Sequence, residues 1–200
     1  MRSILIKKRN CLGPDEFYEL LRLTPVISAV KSMEDLEKSL TLGSRIVFVL
    51  FGDLLTIPNI VGRLKSAGKV VMIHIDLIEG LSAKEVAVDY LWENTGADGI
   101  LSTKPNLIKH AKNRGFLTIQ RFFVLDSMAL VNIEKQFPLE YADAMEILPG
   151  VMPKVIAKIV HITKKPIIAG GLVSDEEDVR NSLKAGAVSV SSTNPDLIRP

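Results

Sequence analysis

Two short stretches near the end of this 200-residue chain have the residue types that can hold an anion. Gly170-Gly171 follow the apolar run Pro166 to Ala169, and Ser191-Ser192-Thr193 follow the run Ala187 to Val190. Glycine admits positive φ and lets a ligand come close to the backbone, so a glycine pair at the end of a buried strand can offer amide hydrogens to a phosphate. Ser174 reads as a helix N-cap, with Glu177 completing a capping box and Gly186 at the left-handed position beyond the helix. Asn194-Pro195 reads as a second cap that opens a short terminal helix. A dianion at a helix N-terminus meets unpaired amides and the positive end of the dipole. In eightfold β/α barrels such sites lie in the loops after the seventh and eighth strands. Either motif alone is also ordinary loop punctuation. Together, after two successive strands, they favour phosphate.

Further polar residues fall at strand ends. His74 and Asp76 sit two apart in HIDLIEGL, which puts both on one face of a strand. Such a pair can do acid–base work, bind a polyol, or be a buried histidine satisfied by its neighbour. Ser102, Thr103 and Lys104 follow the next strand, Gln120 and Arg121 lie in the one after, and Glu146 lies in the sixth. Arg121 stands between Ile119 and Phe122-Phe123, and a guanidinium in so apolar a strand needs an anion to answer it. Glu146 in a structural ion pair and a bound ligand are both candidates.

The elements that must position these residues alternate regularly. Strands are expected at Val26 to Val30, Ile46 to Phe51, Val70 to Asp76, Gly99 to Thr103, Leu117 to Asp126, Ala144 to Leu148, Pro166 to Ala169 and Ala187 to Val190. Helical patterns fill the gaps at Met33 to Leu42, Ile57 to Ala67, Ala83 to Asn94, Pro105 to Arg114, Met128 to Phe137, Pro153 to Ile162 and Asp175 to Ala185. Near-continuous apolar strands alternating with helices specify an α/β protein with a parallel sheet covered by helices. Eight strands favour a compact parallel (β/α)8 TIM-type barrel over an open sheet. The last helix is truncated because the chain stops at Pro200, so an incomplete barrel is also open. Residues 1–24 form an extension with one short helix, Asp15 to Leu23, and residues 25–200 form a single barrel domain. That helix is placed to plug the barrel bottom or to cover a strand lacking its own helix.

Composition narrows the function classes. A chain 47% hydrophobic and 24% charged is ordinary globular protein rather than a disordered one. The single cysteine, Cys11, permits no internal disulfide and suits a reducing cytoplasm; it reads as structural or incidental. Neither a signal peptide nor a membrane span is expected, since Lys7 to Arg9 and then Asp53 and Pro58 interrupt the apolar stretches. Metal binding is not expected, because His110 and His161 fall on helices away from His74. No GxGxxG or GxSxG motif is present.

The formal net charge of +2 does not by itself call for nucleic acid, but the cations cluster. Gly99 to Val124 holds Lys104, Lys109, Lys112, Arg114 and Arg121 without an acid, and Ile147 to Ser174 holds Lys154, Lys158, Lys164 and Lys165 likewise. Lys154, Lys158 and His161 make one helical stripe. Such stripes are commonly solvated faces, yet two acid-free segments leave room for a polyanion-binding side. Without aromatic platforms beside them, any RNA contact would be to backbone or folded shape.

Taken together, HIDLIEGL (74–81), GILSTK (99–104), TIQRFFVLD (118–126), MEILPGVMP (145–153), PIIAGG (166–171) and EEDVRNSLKAGAVSVSST (176–193) resemble the glycerol uptake operon antiterminator regulatory protein family. GSRIVFVLFGDLL (43–55) matches more weakly, and the resemblance spans about Pro25 to Leu197. It implies a compact β/α barrel that takes glycerol 3-phosphate as effector, without another cofactor. The loaded protein would bind the leader mRNA of a glycerol-utilisation operon, preventing premature termination or stabilising the message. Carried onto this sequence, the resemblance assigns Gly170, Gly171, Ser191, Ser192 and Thr193 to the phosphate. It puts His74, Asp76, Lys104, Gln120, Arg121 and Glu146 at the mouth for the glycerol moiety or for ordering the pocket. Lys109, Lys112, Arg114, Lys154 and Lys158 are the candidates for RNA. Lys104 stands where the family has arginine, which loses bidentate geometry. The extension through Leu23 is longer than the family's, and the tail lacks its tryptophan.

The expectation is therefore a non-enzymatic regulator in the cytoplasm. The competing reading is a phosphate-binding barrel enzyme, an isomerase or lyase of a small sugar phosphate, with His74 and Asp76 as acid and base. Coupling of ligand to RNA would need a movable mouth loop or a homo-oligomer interface, and the sequence displays neither.

Overall fold

Residue parity along the strands decides what this molecule buries and where. The computed structural model describes residues 12–135 and 140–198. Strands β1 (Val26–Val30), β2 (Ile46–Val49), β3 (Val70–His74), β4 (Gly99–Ser102), β5 (Leu117–Phe123), β6 (Ala144–Leu148), β7 (Ile167–Gly170) and β8 (Ser189–Ser192) pair in parallel in chain order. β8 pairs back onto β1, closing the barrel. Helix α1 (Pro14–Arg22) precedes the first strand. Helices α2 (Met33–Thr41), α3 (Ile57–Ser66), α4 (Glu85–Asn94), α5 (Pro105–Arg114), α6 (Ser127–Lys135), α7 (Pro153–Ile162) and α8 (Glu176–Lys184) follow β1 to β7 in turn. Among the described residues β8 is followed by a 3-10 turn, Pro195–Leu197. The fold is the (β/α)8 barrel expected.

One parity points into the barrel. Ile27, Ala29, Ile46, Phe48, Val70, Met72, Leu101, Leu117, Ile119, Ala144 and Ile168 form one apolar cluster there. Gly99 makes room for it: a Cβ at that position would lie 2.5 Å from Met72 Sδ and 2.6 Å from the Leu117 carbonyl. The opposite parity, with Val47, Val49, Val71, Ile73 and Ile100 on one side and Met145, Ile147, Ile167, Ala169 and Val190 on the other, packs under the helices.

The interior cluster is closed from below by α1, whose Phe17, Leu20 and Leu21 join it and are almost fully buried. Pro14 starts this helix at a position where no amide bond is lost, and Glu16 accepts the Gly13 amide at 2.8 Å. Of the two roles open to the first helix, the structure shows the plug. Cys11 and the expected last residue of the fifth inter-strand helix, Phe137, lie outside the described residues.

Carboxylates set just before strands fasten neighbouring elements. Asp98 accepts the Val71 amide at 2.7 Å and Lys65 at 2.7 Å, and Asp143 accepts the Thr118 amide at 3.0 Å and Lys112 at 2.5 Å. Each ties two strands and a helix together.

Six strands end elsewhere than expected: β2 at Val49 rather than Phe51, β4 at Ser102 rather than Thr103, β7 at Gly170 rather than Ala169, and three nearer the polar residues. β3 stops at His74, and Asp76 lies in a 3-10 turn, Ile75–Leu77. β5 stops at Phe123. β8 runs to Ser192 rather than ending at Val190, so Ser191 and Ser192 belong to the strand and not to a turn. Serine can occupy a buried strand here because each hydroxyl has a partner; Ser189 Oγ, for instance, donates to the Thr24 carbonyl at 2.5 Å.

Phe17→Ala removes the largest side chain of the plug and should cost about 3–5 kcal/mol of stability. Urea unfolding measures this, and a loss under 1 kcal/mol would mean that the plug is not part of the cooperative core.

Candidate functional site

The parity that buries apolar side chains low in the barrel brings His74, Arg121, Glu146, Gly170 and Ser191 inward at its upper rim. Arg121 and Glu146 face each other in register, and Arg121 Nε donates to Glu146 Oε2 at 2.6 Å. Glu146 is fully buried and Arg121 nearly so. The second carboxylate oxygen, Oε1, accepts from Ser191 Oγ at 2.6 Å. Gly170 is glycine for this reason: a Cβ there would lie 2.5 Å from Glu146 Oε1 and 2.6 Å from Ser191 Oγ.

Arg121 spends only one edge on Glu146. Its two terminal nitrogens have no protein acceptor among the described residues, and the side chain lines a cavity of about 220 Å³. The same cavity is walled by Lys31, Leu148, Gly171, Leu172, Val173 and Ser191 to Thr193. The glycine loop and the end of β8 thus meet at one cavity, with Arg121 between them.

The loop is shaped by two successive residues with positive φ, Gly171 at 75° and Leu172 at 62°. Leucine rarely adopts that conformation, and such strain is held only where surroundings impose it. Gly171 accepts from the Gly150 amide at 3.0 Å, and Ser192 Oγ donates to the Val173 carbonyl at 3.1 Å. These bonds fix the loop from both sides. The amides of Gly171, Leu172, Val173 and Thr193 have no protein acceptor among the described residues.

The helix termini do not take part as expected. Asp175, not Ser174, is the N-cap of α8; its side chain accepts the Asp178 amide at 2.9 Å. Asp178 in turn accepts the amide and hydroxyl of Ser174 at 2.9 and 3.0 Å, which lowers its own pKa. The positive end of α8 is therefore answered by its own Glu176, Glu177 and Asp178. Asn194 does cap the last turn, accepting the Asp196 amide at 3.1 Å, but that turn has three residues and no sizeable dipole. The hydroxyls of Ser191 and Ser192 are likewise occupied internally. What remains for an anion is a guanidinium edge, an ammonium and loop amides.

A second polar cluster lies on the β3 and β4 side. Asp76 accepts from Ser102 Oγ at 2.9 Å, from the Thr103 amide at 2.8 Å and from Thr103 Oγ1 at 2.9 Å, with Lys104 Nζ at 3.4 Å. Burial pushes the Asp76 carboxyl up, but the bonds from Thr103 and Ser102 outweigh it and hold the pKa below the usual value. His74 Nδ1 is 3.8 Å from Asp76, too far for a hydrogen bond, and this buried nitrogen has no partner. Asp76 is thus satisfied by hydroxyls and an amide, and does not satisfy the histidine. Burial, then the charges of Arg121 and Lys104, lower the His74 pKa to about 4, so the ring is neutral.

Gln120 faces the other way. It has the opposite parity to Arg121, is buried, and donates to the Ser102 carbonyl at 3.3 Å, away from the mouth cavity. Lys31 is the cavity residue that sequence reasoning missed; its only signal is a cation directly after a strand. Among the described residues no group of three or more His, Cys, Asp or Glu could hold a metal, and no helix is long and apolar enough to cross a membrane.

The cations of α5 have partners. Lys112 pairs with Asp143, Lys109 lies 5.0 Å over the Tyr141 ring, and Arg114 bonds Glu93 at 2.8 Å. Arg114 Nε also lies 3.1 Å from Asp89 but out of hydrogen-bond line. Lys154 and Lys158 on α7 are exposed without a carboxylate partner among the described residues.

Fold and rim together define the class: an eight-stranded TIM-type barrel with a polar, cationic mouth. The chain belongs to the glycerol-3-phosphate responsive antiterminator family, whose sequence model matches residues 26–198. It is 47% identical to YgcP of Escherichia coli K12 over 175 residues, 88% of this chain and 92% of that one. The glycerol uptake operon antiterminator regulatory protein of Listeria monocytogenes superposes with a TM-score of 0.81 at 33% identity, covering 84% of this chain and 91% of that one. A glycerol uptake operon antiterminator-related protein from Thermotoga maritima gives 0.77 at 34%, covering 87% and 97%. The family is one of regulators, and the enzyme reading is set aside on that ground.

The His74 shift predicts acid sensitivity. The folded ring titrates near pH 4 and the unfolded one near 6.5, so below pH 6.5 only the unfolded chain takes up the proton. Stability should fall by up to roughly 3 kcal/mol between pH 6.5 and 4. His74→Asn should flatten urea-derived stability across that window, and an unchanged slope would dissociate it from this ring.

Proposed function

We propose that glycerol 3-phosphate seats in the mouth cavity and selects the state of the protein that binds RNA. The observation that carries this reading is Arg121: its pairing with Glu146 leaves donors directed to a cavity that Gly171 and Thr193 also line. The phosphate meets the amides of Gly171, Leu172, Val173 and Thr193, the guanidinium edge, and Lys31. Because Glu146 neutralises Arg121, Lys31 and the amides supply the excess positive potential. A cavity of about 220 Å³ is below the usual range for larger ligands and suits a molecule of a few carbons.

The glycerol end then points toward His74, whose orphan Nδ1 is free to bond a hydroxyl. Asp76 and Lys104 order that side, Gln120 holds the β4 end, and Gly170, Ser191 and Ser192 shape the cavity rather than touch the phosphate. No other cofactor is called for. Residues 25–200 act as one barrel unit, with 1–24 as its extension. The loaded protein acts on the leader mRNA of a glycerol-utilisation operon, which places it in the cytoplasm. Ligand coupling of the usual 1–3 kcal/mol would raise RNA affinity about 5- to 150-fold.

Lys31→Ala, at an exposed position, should weaken glycerol 3-phosphate about tenfold while leaving any binding of glycerol unchanged. Gly171→Val forces a side chain into positive φ and against Leu148, 3.1 Å away, and should abolish ligand binding. Calorimetry with both ligands reads this, and unaltered affinity in both variants would eliminate the cavity as the phosphate site. Leader RNA binding with and without glycerol 3-phosphate, at fixed salt, tests the regulatory half. Equal affinity in the two arms would refute it.

A further inference from the structure

A groove lies beside the 3-10 turn that follows β8. It has a volume of about 540 Å³ and runs between α8 and the starts of β1 and β2. Part of its wall is apolar, with Leu23, Val26, Val179 and Ile198, and Leu23 is 71% exposed. Arg45 and Arg180 also line it, and neither has a carboxylate partner among the described residues. Glu176, at the mouth-side end, already has an interaction within the protein.

We infer that this groove receives an unstacked base of single-stranded RNA, with Arg45 and Arg180 meeting its flanking phosphates or stacking on it. This rests on the RNA-binding reading above and gives it a surface. Apolar wall plus unanswered guanidinium is the chemistry that splayed-out RNA bases use. A second copy of the chain docking here by two-fold symmetry would bring arginines against arginines. An apolar peptide would leave both guanidiniums unanswered.

The charge layout agrees. Helices after the strands start at the mouth and end at the opposite face. Acids occupy the first turns of α2, α4 and α8, with Glu34, Asp35, Glu85 and Glu176 to Asp178. Bases occupy the last turns of α3, α5 and α8, with Arg63, Lys65, Lys112, Arg114 and Lys184. A polyanion is disfavoured beside the starts of α2, α4 and α8, and less so at the face where β1 and β2 begin. Lys112, Arg114, Arg63 and Lys65 are paired with Asp143, Glu93, Glu37 and Asp98, which leaves Lys184, Arg180 and Arg45 to set the track along α8 and the start of β2.

The test uses the full chain with saturating glycerol 3-phosphate and a glycerol-operon leader transcript carrying 4-thiouridine. Irradiation should crosslink peptides containing Leu23, Val26 or Ile198. The double variant R45E/R180E should lose at least tenfold in RNA affinity and flatten the salt dependence by about 1.4 in log–log slope, two single-strand phosphate contacts at about 0.7 each. Its calorimetric affinity for glycerol 3-phosphate should stay that of wild type, which also shows that it is folded. R45Q/R180Q, which adds no repulsion, should show a smaller loss in the same direction. Full RNA affinity in both double variants, with binding lost instead in Lys154→Glu/Lys158→Glu, overturns the groove and leaves the RNA reading intact. No RNA bound by the wild type overturns both.

Discussion

A guanidinium inside a barrel has to be answered, and the upper half of this molecule is arranged around how that is done. Glu146 takes the Nε of Arg121 on one oxygen and the Ser191 hydroxyl on the other, so both of its oxygens are engaged. Taking away one partner of such a pair strands a buried charge at a typical cost of about 3–5 kcal/mol. The glycine at 170, the serine at 191 and the register of β5 on β6 are all conditions for this triad. The cavity is what the triad leaves over. Its walls are set by a structural need, and its chemistry comes from the guanidinium edge that this need does not consume.

Periodicity carries that local requirement through the fold. A strand repeat of two places Ile119 in the apolar floor and Arg121 in the polar rim of the same column, and likewise Ala144 beneath Glu146 and Met72 beneath His74. A slip of one residue would exchange the rim for the helix-facing layer. The plug made by α1 completes the floor, and the cavity lies at the end where the interior side chains are polar.

Much of this was legible in the sequence, and the misses have physical causes. Eight apolar runs separated by amphipathic ones fix the barrel, because strand length and helix period are local properties of the chain. The cost of a lone buried charge required an answer to Arg121 but left Glu146 and a ligand both open; the structure shows the pair with Glu146. Composition misled at β8: serine reads as loop, yet Ser189, Ser191 and Ser192 are strand residues whose hydroxyls find acceptors elsewhere in the barrel. Parity misled for Gln120, which was grouped with its neighbour Arg121 although adjacent strand residues face opposite ways. Counting charges in a segment cannot register partners from outside it; Lys112 meets Asp143 and Arg114 meets Glu93, each more than 20 positions away. Lys31 carried no motif at all, and only closure of the ring brings it beside Gly171.

The seam of the ring has a consequence for how the molecule comes into being. Ser189 bonds Thr24 across 165 positions, and β8 lies against β1 along its length. Contacts of such high sequence separation pay their loop-closure entropy before they return anything, and they form late. During synthesis the first seven strands must wait as an open, curved sheet with both edges bare. Only when the final strand has emerged from the ribosome can the circle be joined, so the cavity at the mouth comes into existence last.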